Sequence, residues 1–239
     1  MAKLGCYRTL LPKGVTHMFT RRHFIQTSTA LFSATALGTV ATSAMAATKS
    51  DWETWDAQVT PANFDLETTN PWDLHDRFLP RRVEANAGLV PGDIHVDAVA
   101  RYLYLIEEGG TAMRYGVAIG RDGLYEPGTY AIKRKVKWPT WTPTPNMIKR
   151  EPETYAQYAD GMAPGPRNAL GSRALYLYVG NRDTYLRIHG TPYPRSIGSR
   201  ASSGCVRMVM AHVIDLYDRV DTGATAHLYP AERVVTAQS

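Results

Sequence analysis

From Gly92 onward the chain is divided into short runs rich in Tyr, Val and Ile: DIHVD, RYLYLIEE, MRYGVAIG, TYAIKRKVK, ALYLYVG and TYLRIHG. The turn sequences EEGG, RDG and EPG punctuate them. β-Branched and aromatic residues suit a pleated surface, and turns at this spacing mark successive strands. The expected fold is mainly β, a sandwich or barrel-like sheet, with a hairpin at EEGG. One helix is expected as well. In VMAHVIDLYDRV, Met210, Val213, Ile214, Tyr217 and Val220 recur at three- and four-residue steps, and Gly223 can end the run. His212 on this helix is expected at the surface or partly packed, and ATAHLYP reads as a final strand.

Residues 138–173, WPTWTPTPNMIKREPETYAQYADGMAPGPRNALGSR, break the strand rhythm. Such long proline-rich loops are uncommon inside compact domains and usually functional, so a lid-like loop is expected, against the plainer alternative of a surface insertion. Residues 50–89 are polar, with Trp52, Trp55, Trp72 and several prolines, and read as an irregular arm packed on the domain through its tryptophans. A wall-binding role for these tryptophans has no support in the sequence.

The first 46 residues read as an address. TRRHFI sets Arg21 and Arg22 before a weakly apolar run diluted with Ser and Thr, and AMA ends it at Ala46. This is the layout of a removable export signal of twin-arginine type, cleaved after Ala46. A membrane span is the alternative, but spans need about 20 strongly apolar residues. No transmembrane segment is expected in the mature protein. Met18 offers a second start, since MFTRRHFIQ alone is a compact signal beginning. Five of the 27 basic residues precede Ala47 and no acid does, so the mature part balances 22 basic against 22 acidic residues. A neutral chain gives no reason to propose nucleic acid as a partner.

With the signal removed, Cys205 is the only cysteine. In an oxidising envelope it has no partner within its chain, which leaves a reactive thiol, an inert buried thiol or a bridge between two chains. It sits in SSGCVRM, just ahead of the helical pattern, where peptide N–H groups could favour a thiolate. Acyl chemistry also needs a base. In YLRIHG the strand alternation ends at His189 and Gly190, sixteen positions before Cys205, and turn-rich sequence lies between them. His95, His212 and His227 are scattered, with no metal-ligand spacing, so neither metal nor cofactor is expected.

IHGTPYPRSIGSRASSGCVRM resembles the signature of the L,D-transpeptidase catalytic domain, the YkuD family: HGT, then a turn segment with SIG, then S-x-GC-x-R. The likeness runs in separate blocks from about Gly92 to about Tyr229. It implies an exported cell-wall enzyme acting on peptidoglycan tetrapeptide stems. In this family the motif cysteine, here Cys205, attacks the carbonyl of the third stem residue and expels the terminal D-alanine. An amine then resolves the thioester, giving a 3→3 cross-link. His189 matches the family's proton carrier, and Gly190, Ser202, Gly204 and Arg207 fall on motif positions. The resemblance places oxyanion donors on the backbone of residues 203–205 and has Arg207 brace the loop. Many relatives carry a second histidine before GC; Ser203 stands there instead and is expected to supply a hydrogen bond.

The expected organisation is a signal over 1–46, an arm over 47–89, a catalytic domain over 90–232 and a tail over 233–239. Four acceptors stay open: another stem, a free D-amino acid, an envelope-protein amine, or water, which would make a wall peptidase or amidase. A non-catalytic wall-binding protein on a retired enzyme fold is the more distant alternative.

Overall fold

The computed structural model describes residues 47–232, so the expected signal and C-terminal tail lie outside the described residues. The turn-punctuated runs form strands as their composition requires. β1 (Arg81–Glu84), β2 (Ile94–Asp97), β3 (Tyr102–Ile106), β4 (Thr111–Gly116), β6 (Gly128–Lys137), β7 (Arg173–Val179), β8 (Arg182–Thr191), β10 (Val206–Val209) and β11 (Thr225–Leu228) share one sheet. Its order is β1-β4-β3-β2-β11-β6-β7-β8-β10. β5 (Ile119–Gly120) and β9 (Arg200–Ser202) form a separate parallel pair. The EEGG turn closes the β3–β4 hairpin, with Glu107 N–H donating to Thr111 O at 2.8 Å.

Two pairings in the large sheet are parallel, β2 with β11 and β8 with β10. At the β10 edge, Arg207 and Ala118 exchange backbone hydrogen bonds of 2.8 and 2.9 Å. Ala118 lies just past β4, so this bridge curls one flank of the sheet onto the other and gives the barrel-like form. The interior holds Ile94, Leu103, Ile132, Leu175, Ile188 and Met208, all buried. Helix α4 (Met210–Arg219) lays Met210, Val213 and Leu216 against this layer and packs on β7, β8 and β10.

Several expectations are corrected. Cys205 is followed by strand β10, not directly by the helix, because Val206, Met208 and Val209 are drawn into the core as a short edge strand. α4 is not the only helix: α1 (Lys49–Val59), α2 (Pro145–Arg150) and α3 (Pro152–Tyr155) are also present. The arm is therefore not irregular throughout. Thr48 accepts from Asp51 N–H while the Asp51 carboxylate accepts from Thr48 N–H, a reciprocal cap that starts α1 despite its weak apolar stripe. β1, charged and mostly exposed, pairs with β4 at the sheet edge.

His212 is fully buried, not at the surface. Phe64 stacks on its ring at 6.4 Å and Trp72 meets it edge-on at 5.1 Å, so the arm's aromatics cover this face of α4. Burial pushes its imidazole down to about 3, so it is neutral. His95 and His227 are not scattered in space; the parallel β2–β11 register stacks them at 4.6 Å.

An ionic cluster ties the arm to α4. Glu107 accepts from Arg82 on β1 at 2.7 Å, from Thr111 at 3.1 Å and from Arg219 on α4. The Arg82 hydrogen bonds, helped by Arg219 and opposed by desolvation, hold the Glu107 carboxyl down at about 2 against an ordinary 4.5. A depressed acid stabilises the fold fully above its unfolded value and loses that contribution as pH falls through its folded value. The urea midpoint should therefore fall between pH about 4.5 and about 2, and Glu107→Gln should flatten the curve in that window.

Candidate active site

The parallel register sets Val206 against Ile188 and Arg207 against His189. Cys205, one step before Val206, therefore lies level with Arg187. Side chains two apart share a strand face, so Cys205 and Arg207 face the same way, as do Arg187 and His189. All four line one cavity of about 990 Å³. Its opposite wall comes from residues 140–170, including Trp141, Met147, Tyr155, Tyr158 and Met162.

The turn that carries Cys205 is held by its neighbours. Ser202, buried, donates to Cys205 O at 2.5 Å and accepts from Gly204 N–H at 3.2 Å. Gly204 has φ +133°, in the region that favours glycine, and a Cβ there would meet Leu124 O at 3.0 Å. Gly190 is equally confined, since a Cβ would lie 3.2 Å from both Ser172 N and Val213. Its carbonyl accepts from His189 Nδ1 at 2.6 Å, which puts the ring proton on Nδ1 and leaves Nε2 with its lone pair.

Burial, then the Arg207 charge, pushes the His189 imidazole down to about 3, against the pull of the Gly190 and Leu170 carbonyls. Burial likewise pushes the Cys205 thiol up, against the opposing pull of the Arg187 backbone N–H and the Arg187 and Arg207 charges. The expectation of a thiolate favoured by helical N–H groups is thus overturned: no helix begins at the cysteine, and desolvation outweighs the nearby charges. The resting pair is a neutral thiol and a neutral imidazole. The thiol points to Tyr185 O at 3.7 Å rather than to the ring. Tyr185 has φ +62°, an unusual conformation for an aromatic residue, and Asp183 Oδ1 fixes it by accepting from its N–H at 2.8 Å.

The Arg207 guanidinium Nε has no partner among the described residues, while the Arg207 backbone N–H and C=O both pair with Ala118. The Ser203 hydroxyl shares a hydrogen bond of 2.8 Å with Tyr155 Oη across the cavity. Among the described residues, four arginines, Arg150, Arg167, Arg187 and Arg207, line the cavity with Glu126 as the only carboxylate. Arg187 is paired with Asp183 and Arg150 with Glu151, while Arg167 and Arg207 have no ion pair among the described residues. Sequence reasoning missed Arg187, although it stands two residues before His189 on the same strand face. It also missed Tyr155 and Arg167, which lie where no period could be read.

A thiol and an imidazole on adjacent strands, with backbone N–H groups in the turn and cations in the cleft, can carry out cysteine-based acyl transfer. The chain belongs to the L,D-transpeptidase catalytic domain family (YkuD), whose model matches residues 91–235. A putative L,D-transpeptidase from the ATP synthase subunits region of Fuscovulum blasticum is 30% identical over 141 residues, covering 54% of this chain and 70% of that protein. A probable L,D-transpeptidase ErfK/SrfK of Escherichia coli is 31% identical over 134 residues, covering 55% of this chain but only 41% of that protein. The crystal structure of a probable carnitine operon oxidoreductase from Brucella melitensis is 49% identical, covering 65% of this chain and 96% of that one, at a TM-score of 0.45. That protein's name refers to a different activity, and a superposition this loose carries no argument about function.

Alkylation of Cys205 by iodoacetamide should still be accelerating at pH 9, with no inflection between pH about 5 and 7, where an ordinary imidazole titrates. A rate plateau at neutral pH would mean a preformed thiolate–imidazolium pair.

Proposed function

We propose that the protein is an exported, periplasmic peptidoglycan L,D-transpeptidase with Cys205 as nucleophile and His189 as proton carrier. The observation that carries this reading is the placement of Cys205 and His189 on neighbouring strands in the wall of one arginine-lined cavity. A stem peptide is rich in carboxylates, and Arg167 and Arg207 offer unpaired cations to receive them. Cleavage of the twin-arginine signal after Ala46 would leave the Thr48–Asp51 cap of α1 intact.

Because both groups start neutral, the thiol must lose its proton as it attacks. Sγ forms a bond to the carbonyl carbon of the third stem residue while the proton passes to His189 Nε2. Gly204 N–H is engaged by Ser202, so the developing oxyanion is assigned to the N–H groups of Ser203 and Cys205. The imidazolium then gives its proton to the departing D-alanine nitrogen, and the C–N bond breaks to leave a thioester. In the second half an acceptor amine attacks, His189 takes a proton from it, and the same proton returns to Cys205 as the thiolate leaves. The Gly190 carbonyl keeps the ring in the required tautomer through both halves.

The acceptor is another stem's third-residue side-chain amine, giving a 3→3 cross-link, or an envelope-protein amine. Disaccharide-tetrapeptide mixed with protein from Ala47 onward should yield a cross-linked dimer with loss of D-alanine by mass spectrometry, and Cys205→Ala should yield none. Tripeptide and free D-alanine without dimer would assign water as the acceptor and overturn transpeptidation. Tyr155→Phe, which removes one neutral hydrogen bond worth about 1 kcal/mol, should raise KM about fivefold and leave the Cys205 alkylation profile unchanged.

A further inference from the structure

The cavity wall formed by residues 140–170 belongs to a long excursion that leaves the sheet at the end of β6 and returns at β7. Both of its ends meet a single carboxylate from outside the family domain. Asp56, on α1, accepts from Trp138 Nε1 at 3.0 Å through Oδ1. The same carboxylate takes both terminal nitrogens of Arg173, at 2.8 Å through Oδ1 and 2.7 Å through Oδ2. Trp138 is the residue after β6 and Arg173 the first of β7, so Asp56 staples the base of the excursion.

Three further observations fit a built clamp. The Arg173 side chain is only 2% exposed, and a buried guanidinium held by a two-pronged carboxylate gives a defined geometry. Trp138 is buried with φ +45°, a conformation a bulky aromatic keeps only when its surroundings over-determine it. Those surroundings are Asp56 on its indole N–H, Ser172 O on its backbone N–H at 2.8 Å, and the Trp55 ring edge-on at 5.2 Å. From this base the excursion reaches across the cavity to place Tyr155 on Ser203, two residues before Cys205.

We infer that Asp56 is a positioning residue for the substrate cleft: the segment ahead of the family domain fixes the far wall of the cavity. Asp56 lies outside residues 91–235, so the family pattern does not call for it. The inference rests on reading the cavity as the stem-peptide cleft. Asp56 touches neither Cys205 nor His189, so it acts on where substrate sits and not on the reacting atoms.

The test uses the full mature chain with Asp56→Asn and Trp138→Phe, the second keeping the ion pair while losing the indole N–H together with part of the buried ring. Three quantities are measured: kcat and KM on disaccharide-tetrapeptide, iodoacetamide alkylation of Cys205, and hydrogen exchange across residues 138–173. Asp56→Asn should raise KM about tenfold with kcat within about twofold, since misplacing a cleft wall weakens binding more than chemistry. It should speed exchange in 138–173 and leave alkylation unchanged; Trp138→Phe should shift KM and exchange in the same direction by less. Wild-type KM and exchange in folded Asp56→Asn would overturn the inference, as would alkylation that changes in step with KM. If Asp56→Asn does not fold, Trp138→Phe decides by the same criteria. If the wild-type protein does not turn over stem peptides, the proposed function fails, while exchange in 138–173 still supports or overturns the clamp.

Discussion

The parallel pairing of β10 with β8 sets every relation at the site. It puts Arg207 beside His189 and leaves Cys205 level with Arg187, so thiol, imidazole and two guanidinium groups share one face. A one-residue slip in a strand turns each side chain to the other face of the sheet. Such a slip would bury Cys205 and Arg207 in the core and expose Val206 and Met208. The apolar alternation of β10 and the Arg207–Ala118 bridge on its other edge both oppose that. The turn before β10 is held by the Ser202 hydroxyl and by a glycine in a conformation other residues avoid.

Desolvation, more than charge, governs the protonation of the pair. Two arginines stand near Cys205, yet burial still lifts its thiol and drives the His189 imidazole down to about 3. The same guanidinium groups that would stabilise a thiolate oppose an imidazolium, so a resting ion pair gains little from them. Arg167 and Arg207 line the same cavity without carboxylate partners among the described residues.

Much of this architecture is legible in the chain. The Tyr-, Val- and Ile-rich runs became β2, β3, β4, β6, β7 and β8, and the hydrophobic steps after Met208 became α4. HGT and S-x-GC-x-R carried the family, and His189 and Cys205 come to one cavity. What could not be read depends on contacts between distant residues. β1 is a short edge strand in which three of four residues are charged and exposed, and pairing there needs no apolar alternation. His212 looked like a surface histidine because its cover, Phe64 and Trp72, is supplied by the arm. His95 and His227 met only through a parallel pairing across most of the domain. Tyr155 and Asp56 reach their partners Ser203 and Arg173 over sequence gaps in which no periodicity operates.

The central claim is that Cys205 carries the acyl group during turnover. Rapid quenching of the protein with excess disaccharide-tetrapeptide, followed by intact-mass and peptide-mass measurement, tests it directly. The account predicts an adduct on the Cys205 peptide equal in mass to the stem less D-alanine, which decays when an acceptor amine is added. Cross-linked product accumulating with Cys205 unmodified at every time, or an adduct on another residue, would contradict it.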